Sequence, residues 1–389
     1  MKIGVFEKPY IIFWELTRAC LLACKHCRAK AQKYRNPNEL SVDECRDTLR
    51  DLAKWGVKPI IVITGGDPLM REDLIDIIEL INKFGMRVAI AFSTTKLATK
   101  EKLEEIKNAG ISRAAISLDG STAKLHDSFR GVKGTYDLAL KIIELCKDLE
   151  IPIQVNTTVT KENIFDLPNI LKLCIKKEVK FWDVFFLVPT GRADVSLMPN
   201  AREFEDILNW LYDVSVRLPI KVKSSAATHL RRIEIMRKAG IYRIKPGKLY
   251  YELMKMTKFD SFRERKSSED LGDIKRMFGV TDGRGMFFIS HVGEVYPSGF
   301  LPLVAGNVRE SSIREIYEKS EIFKNLRDPE KLRGKCGRCP FKYVCGGSRA
   351  RAYAVFGDYL AQEPCCLFSP ENDLKSDDLE TLQNFLNFS

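Results

Sequence analysis

The chain has 389 residues, 45% of them hydrophobic, enough for one large domain with an extensive core and a smaller one beside it. No apolar run approaches the ~20 residues that cross a bilayer. Met1 to Glu7 lacks the apolar centre of a secretory signal, and the C-terminus carries no lipidation box, so the expected compartment is the cytoplasm. The formal net charge of +11 comes from 63 Lys and Arg against 52 Asp and Glu. These charges are mixed, as in Lys100-Glu101-Lys102-Leu103-Glu104-Glu105, without the basic stripe or arginine-rich tail of a nucleic-acid binder.

Tyr10 to Trp14 is an apolar, strand-like stretch that runs into a C-x3-C-x2-C triplet at Cys20, Cys24 and Cys27. Three thiolates this close, on a loop leaving a strand, can hold three irons of a cubane cluster. Such clusters normally take four cysteines, so a set of three leaves one iron open to a substrate. A zinc site more often shows a second Cys or His pair nearby, which this region lacks. Ile60 to Thr64 reads as a buried strand ending in Gly65-Gly66-Asp67-Pro68. Glycines there let the backbone approach a ligand closely; taken alone, the same four residues are ordinary turn chemistry.

Further strand-length apolar runs fall at 87–92, 113–118, 152–159 and 181–188. Helical patterns lie at 42–55, 71–84, 99–109, 135–149 and 163–177, the first opened by a capping box from Ser41 to Glu44. This rhythm continues to about residue 225 and predicts an α/β fold, a parallel sheet with covering helices, either doubly wound or a full or partial barrel. In each case ligands gather at the carboxyl ends of the strands, where the triplet and the GGDP turn both lie.

Residues 226–280 read as helical, very basic and poor in strands, with breaks at Gly240, Pro246 and Gly247; they are expected to form a bridge or lid. From 281 the pattern changes to a hairpin, Gly285 to His291 and Glu294 to Pro297 about a Val292-Gly293 turn, then a helix near 312–326. A second cysteine group follows, Cys336-x2-Cys339-x5-Cys345 and then Cys365-Cys366, whose spacing alone permits a zinc knuckle. The expected division is 1–225, 226–280 and 281–389. Eleven cysteines in a cytosolic-looking chain point to metal rather than disulfides. Cys45, Cys146 and Cys174 fall on apolar-periodic helices and read as small buried hydrophobes.

The triplet followed by Gly65-Gly66-Asp67-Pro68 resembles the signature of radical S-adenosylmethionine (SAM) enzymes, with Asp67 where their GGEP motif has Glu. The block from Cys336-Gly337-Arg338-Cys339 through Cys345-Gly346-Gly347 to Glu363-Pro364-Cys365-Cys366 resembles their SPASM/twitch extension. Trp14-Glu15-Leu16-Thr17-Arg18-Ala19-Cys20 and Gly346-Gly347-Ser348-Arg349-Ala350-Arg351-Ala352 are most similar to the subgroup of alternative haem and haem d1 biosynthesis. The matched blocks span residues 10–369.

The resemblance implies a partial (β/α)6 TIM-type barrel with a C-terminal iron–sulfur domain. It implies a [4Fe–4S] cluster on Cys20, Cys24 and Cys27, with SAM on its open iron. It also implies one auxiliary [4Fe–4S] cluster on Cys336, Cys339, Cys345 and Cys366. The family closes that cluster with a cysteine two residues past a proline, which Cys366 matches better than Cys365. Ser298, after Pro297, and Arg349 stand where a second auxiliary cluster would have cysteines. The implied SAM contacts are His26, Gly65, Gly66, Asp67, Pro68, Ser93, Thr94, Ser117, Arg130, Asn156, Leu187 and Val188. Read without the family, Ser117 and Asn156 bond turn backbone and Arg130 is a surface ion pair.

The activity implied is that of a radical SAM oxidoreductase. A 5′-deoxyadenosyl radical abstracts hydrogen, and a decarboxylation or dehydrogenation follows, with the auxiliary cluster accepting an electron. His229 and Arg192 lie just beyond predicted strand ends and are expected to meet the substrate; a structural histidine is the competing reading of His229. A ferredoxin or flavodoxin is the expected reductant and a tetrapyrrole the expected substrate. The rivals are a maturase acting on a ribosomal peptide or protein, and a non-enzymatic iron–sulfur or zinc scaffold.

Overall fold

The computed structural model describes residues 7–262 and 280–388. Strand β1 (Ile11–Thr17) sends Ile12, Trp14 and Leu16 into the main hydrophobic core. The two-residue period of a strand turns Phe13, Glu15 and Thr17 to the other face. Helix α1 (Val42–Lys54) starts at the expected capping box: Glu44 N donates to Ser41 Oγ at 3.2 Å, and Ser41 N to Glu44 Oε2 at 2.8 Å. Its apolar stripe buries Cys45, Leu49 and Leu52 in the same core, an amphipathic helix laid on a sheet.

The alternation repeats through β2 (Ile60–Gly65), α2 (Leu74–Lys83), β3 (Arg87–Ala91), α3 (Lys100–Asn108) and β4 (Arg113–Ser117). It continues through α4 (Ala123–Arg130), α5 (Thr135–Asp148), β5 (Ile153–Val159), α6 (Leu167–Lys176) and β6 (Phe181–Phe186). Helix α4 falls in a stretch that the periodicity left unassigned. It is short, capped by Thr122, whose side chain accepts from Leu125 N, and stopped by Gly131 at φ 71°. A Cβ at Gly131 would sit 2.6 Å from Ala23 O, so only glycine lets α4 end against the cysteine loop.

Helix α7 (Ala201–Arg217) and β7 (Lys221–Ser225) complete the rhythm beyond the last run assigned from sequence. A second capping box, Asn200 with Glu203, opens α7. Its Trp210 meets Trp182 of β6 edge-on at 6.0 Å. In the basic segment, α8 (Leu230–Lys238) and α9 (Lys248–Thr257) are separated near Gly240 and Gly247. Helix α9 lies on α6 and α7, where Trp210 Nε1 donates to Thr257 Oγ1 at 2.9 Å and Lys172 Nζ to Met256 O at 2.7 Å. Residues 263–279 of the expected bridge lie outside the described residues.

The C-terminal hairpin is present as β8 (Met286–Ile289) and β9 (Glu294–Tyr296), followed by β10 (Gly306–Asn307). The sheet order is β10-β9-β8-β1-β2-β3-β4-β5-β6-β7. Strands β8 and β1 to β7 are parallel, β9 and β10 antiparallel, so the partial barrel has a seventh strand beyond β6 and an eighth before β1. The helix expected near 312–326 is two, Ile313–Lys319 and Glu321–Arg327, because Ser320 is extended (ψ 127°). Among the described residues no helix is long and apolar enough to cross a membrane.

Candidate functional site

At Glu15 to Thr17 the β1–β2 register shifts, and the chain leaves the sheet there as the cysteine loop. Backbone bonds tie its base: Cys20 N donates to Gln32 O at 2.8 Å and Gln32 N to Arg18 O at 2.9 Å. The GGDP turn closes on this base. A Cβ on Gly65 would lie 2.5 Å from Thr17 O, and one on Gly66 would lie 2.4 Å from Ala19 O, so both positions exclude side chains by direct backbone contact. Asp67 N donates to Ala19 O at 2.7 Å. The Asp67 side chain accepts from Thr95 Oγ1, Leu69 N and Ser93 N, at 3.0, 3.2 and 3.4 Å. Burial pushes its carboxyl up to about 6, against those hydrogen bonds. Its carboxylate therefore latches the turn, and any ligand contact falls to the backbone. Pro68 starts the short 3-10 turn that follows.

The three thiols share one apolar cluster with Leu22. Each has a donor or hydroxyl partner: Leu22 N at 3.3 Å and Ser93 Oγ at 3.4 Å for Cys20, Arg130 Nη1 at 3.6 Å for Cys24, and Ala31 N at 3.3 Å for Cys27. Burial pushes the Cys20 thiol up to about 11, so its ligand form needs positive charge close by, as iron supplies. Among the described residues no three His, Cys, Asp or Glu side chains converge as on a single metal ion. A cubane instead binds each thiolate to a separate iron, and the donors around these sulfurs suit one.

The other expected SAM contacts ring the same end of the sheet. Ser93 Oγ donates to Gly66 O at 3.1 Å, joining the β2 and β3 ends to Cys20, with buried Thr94 beside it. Ser117 and Asn156 are register partners on β4 and β5, and Asn156 Oδ1 accepts from Gln154 Nε2 at 2.7 Å. His26 stacks on Phe129 at 4.4 Å. Burial, with Arg130 nearby, takes its imidazole down to about 3, so the ring is neutral. Leu187 and Val188 follow β6 and are buried.

Arg130 departs from the surface ion pair expected without the family. It is neither a surface pair nor a free guanidinium: it is ion-paired with fully buried Asp119. Burial works against its charge, but Asp119 and Cys24 hold the guanidinium above its ordinary value. Its direct task here is to tie β4 to the cysteine loop.

Arg192 is exposed at the mouth, held where its backbone N donates to Cys27 O at 3.0 Å. Gly191 precedes it at φ 68°, and a Cβ there would lie 2.4 Å from Cys27 O. His229 is placed otherwise than expected. It is fully buried against Phe204 of α7, in the wall of a second cavity.

Sequence reading missed the charged groups inside the barrel. Glu15 joins Arg18 Nε, Arg28 Nη1 and His291 Nδ1, each at 3.0 Å. Burial alone would raise its carboxyl; the His291 hydrogen bond and the two guanidiniums bring it to about 2. Arg28 also stacks over Phe288 of β8 at 4.5 Å. Across the sheet, Lys223 Nζ pairs with buried Asp183 at 2.6 Å. The available signal was a charged residue at alternate positions of an otherwise apolar strand, Glu15 in β1 and Asp183 in β6.

The second cavity is lined by Cys336, Cys339, Cys345 and Cys366, with His229 and Glu363. Burial raises the Cys366 thiol to about 12 and also raises Cys339 and Cys345. Donors again face the sulfurs: Glu363 N at 3.2 Å and Arg349 Nη2 at 3.8 Å toward Cys336, and Thr228 Oγ1 at 3.6 Å from Cys345. Arg349, which stands where a second auxiliary cluster would have a cysteine, also donates to Ala361 O and Tyr359 O, at 2.5 and 3.1 Å. Arg351 clamps this region to the barrel. It is fully buried, pairs with Glu363 at 3.1 Å, and donates to Ala226 O at 2.7 Å, Phe186 O at 3.1 Å and Leu187 O at 3.2 Å.

Cys365 is absent from that lining; its Sγ lies 3.9 Å from Met198 Sδ and 4.0 Å from Pro199 O. Cys366→Ala is therefore expected to bleach or destabilise an auxiliary cluster, while Cys365→Ala leaves its EPR signal intact. Iron content and EPR of the two variants decide it. The reverse pattern would reassign the ligand.

Comparison with known proteins gives a match to the radical SAM superfamily over residues 14–174 and to an iron–sulfur cluster-binding domain, SPASM, over 281–340. The AdoMet-dependent heme synthase of Methanosarcina barkeri is 40% identical, covering 95% of this chain and 99% of its own length. The enzyme of that name from Oleidesulfovibrio alaskensis is 38% identical over 94% of this chain and 89% of its own. Among solved structures, Streptococcus suis SuiB bound to S-adenosylmethionine superposes with a TM-score of 0.66 at 14% identity, over 93% of this chain and 78% of its own; that likeness speaks for the fold.

Proposed function

The chain belongs to the radical SAM superfamily, in its haem-biosynthesis-like, SPASM-bearing subgroup, and from that premise we propose that it oxidatively decarboxylates the propionate side chains of an iron tetrapyrrole. It is a radical SAM oxidoreductase; that membership brings a [4Fe–4S] cluster with SAM, auxiliary iron–sulfur, and the need for a reductant and a substrate. The observation that carries the substrate reading is the end-to-end similarity to heme synthases at 40% identity.

In this reading Cys20, Cys24 and Cys27 hold the first cluster. His26, Gly65, Gly66, Ser93, Thr94, Ser117, Asn156, Leu187 and Val188 would hold SAM. Asp67, Pro68 and Arg130 keep those loops in place. Cys336, Cys339, Cys345 and Cys366 hold one auxiliary cluster, in the unit that begins at 281 after the 1–225 core and the 226–280 bridge. When bound, cluster and SAM supply a 5′-deoxyadenosyl radical that takes one hydrogen atom from the substrate. For each propionate, that hydrogen passes to 5′-deoxyadenosine, the bond to the carboxyl carbon breaks to release CO2, one electron leaves, and a vinyl group remains.

The chain's own residues bind, orient and exclude water. Arg192, exposed at the mouth and without a carboxylate partner among the described residues, suits a substrate carboxylate. Arg28 and Lys223 are held in place by Glu15 and Asp183. A ferredoxin or flavodoxin serves as reductant.

The test is anaerobic turnover with SAM and dithionite, offering iron-coproporphyrin in one arm and precursor peptides in the other. Product should lose CO2 and two hydrogen atoms per propionate, with one 5′-deoxyadenosine for each side chain converted. Unchanged porphyrin beside a modified peptide would overturn the proposal in favour of the maturase.

A further inference from the structure

The function proposed above leaves one fully buried polar side chain without a task. His229 opens α8, and neither of its ring nitrogens has a hydrogen-bond partner. Its ring stacks on Phe204 at 5.8 Å with the planes 16° apart, and it lines the cavity of Cys336, Cys339, Cys345 and Cys366. Buried polar groups are nearly always paired, so two orphaned nitrogens on a cavity wall mark a partner that belongs inside the cavity.

The nearby carboxylate does not fill that place. Glu363 accepts from Ser348 N at 2.7 Å, from Cys365 N at 3.0 Å, and from Arg351 Nη1 at 3.1 and 3.2 Å. A neutral imidazole offers one N–H and one bare nitrogen. The same turn already serves the cavity. Thr228 sets its hydroxyl 3.6 Å from Cys345 Sγ, and Arg231 donates to Val344 O at 2.9 Å.

We propose that His229 donates its ring N–H to a sulfur of the auxiliary cluster held by these four cysteines, and thereby sets that cluster's reduction potential. The proposal rests on the assignment of those cysteines to an auxiliary cluster. Hydrogen bonds to cluster sulfurs favour the reduced, more negative state, so losing one lowers the potential. His229 is a positioning and tuning residue in this account, rather than the substrate contact its sequence position implied.

The experiment is an EPR-monitored redox titration of the auxiliary cluster in anaerobically reconstituted enzyme, with SAM present to separate the first cluster's signal. His229→Phe should keep its iron and show at least a tenfold smaller equilibrium constant for one-electron reduction, a shift of about 59 mV to lower potential. His229→Gln, which retains a donor, should recover most of the shift. In the wild type, pulsed EPR should find an exchangeable proton and weakly coupled nitrogen at the cluster. An unchanged midpoint in His229→Phe would overturn the proposal. So would strong nitrogen coupling, which means direct ligation of iron. If His229→Phe fails to hold a cluster, the wild-type spectrum decides, and absence of both couplings sinks the idea. Failure of the underlying assignment looks different: Cys345→Ala and Cys366→Ala would then keep full iron and an unaltered auxiliary signal.

Discussion

Replacing Cys20, Cys24 and Cys27 together with alanine is expected to abolish reductive SAM cleavage and to remove about half of the bound iron, one of two cubanes. The loop should survive the change. Its base is held by the Cys20 N to Gln32 O and Asp67 N to Ala19 O bonds, and its flank by Ala23 N to Arg130 O, all of them backbone contacts that alanine retains. The thiols themselves bond mainly to the loop's own amides and to Ser93 and Arg130. The C-terminal cysteines lie in a separate cavity, and their EPR signal should be unaffected. Iron analysis, EPR and chromatographic assay of 5′-deoxyadenosine measure all three effects. Continued SAM cleavage by the triple variant would refute the assignment of these cysteines.

The parts of this molecule that a sequence discloses are those fixed by local chemistry. The capping box at Ser41 and Glu44, the apolar period of the first six strands and the turn at Val292-Gly293 all act over a few residues, and each is found where expected. The GGDP turn was legible as a close approach of backbone, and the approach is to Thr17 and Ala19 of the cysteine loop. What stayed hidden depends on partners distant in the chain. Arg130 reads as a ligand or surface residue until Asp119 is seen beneath it. Glu15 gathers His291 from the far end of the chain, and Arg351 reaches back to the carbonyls of Phe186 and Leu187. The place of His229 after a strand suggests the mouth, but its stacking on Phe204 of α7 sets which cavity it lines. Short elements such as α4 and β7 have too few periods to register, and their caps and register become visible only against the sheet.

The second large effect is expected from a Cys336→Ala, Cys339→Ala double variant that folds and keeps the first cluster. It should still produce 5′-deoxyadenosine from SAM and dithionite, because the open-iron site and its contacts all lie at the ends of β1 to β6. It should fail to complete the oxidative product. Decarboxylation to a vinyl group leaves an electron that must depart, and the C-terminal cysteine set is the redox-capable group clamped to the ends of β6 and β7 by Arg351. Uncoupled SAM cleavage without product is the behaviour of a site whose parts act as one unit, where losing one stops the sequence rather than slowing it in proportion. The loss should exceed that of His229→Phe, which keeps the cluster and only moves its potential. The measurement is the ratio of decarboxylated porphyrin to 5′-deoxyadenosine in single-turnover and steady-state runs, with circular dichroism to establish the fold. If the double variant yields product at the wild-type rate and ratio, the C-terminal cluster is structural. The electron must then leave by another path, such as directly to an external acceptor.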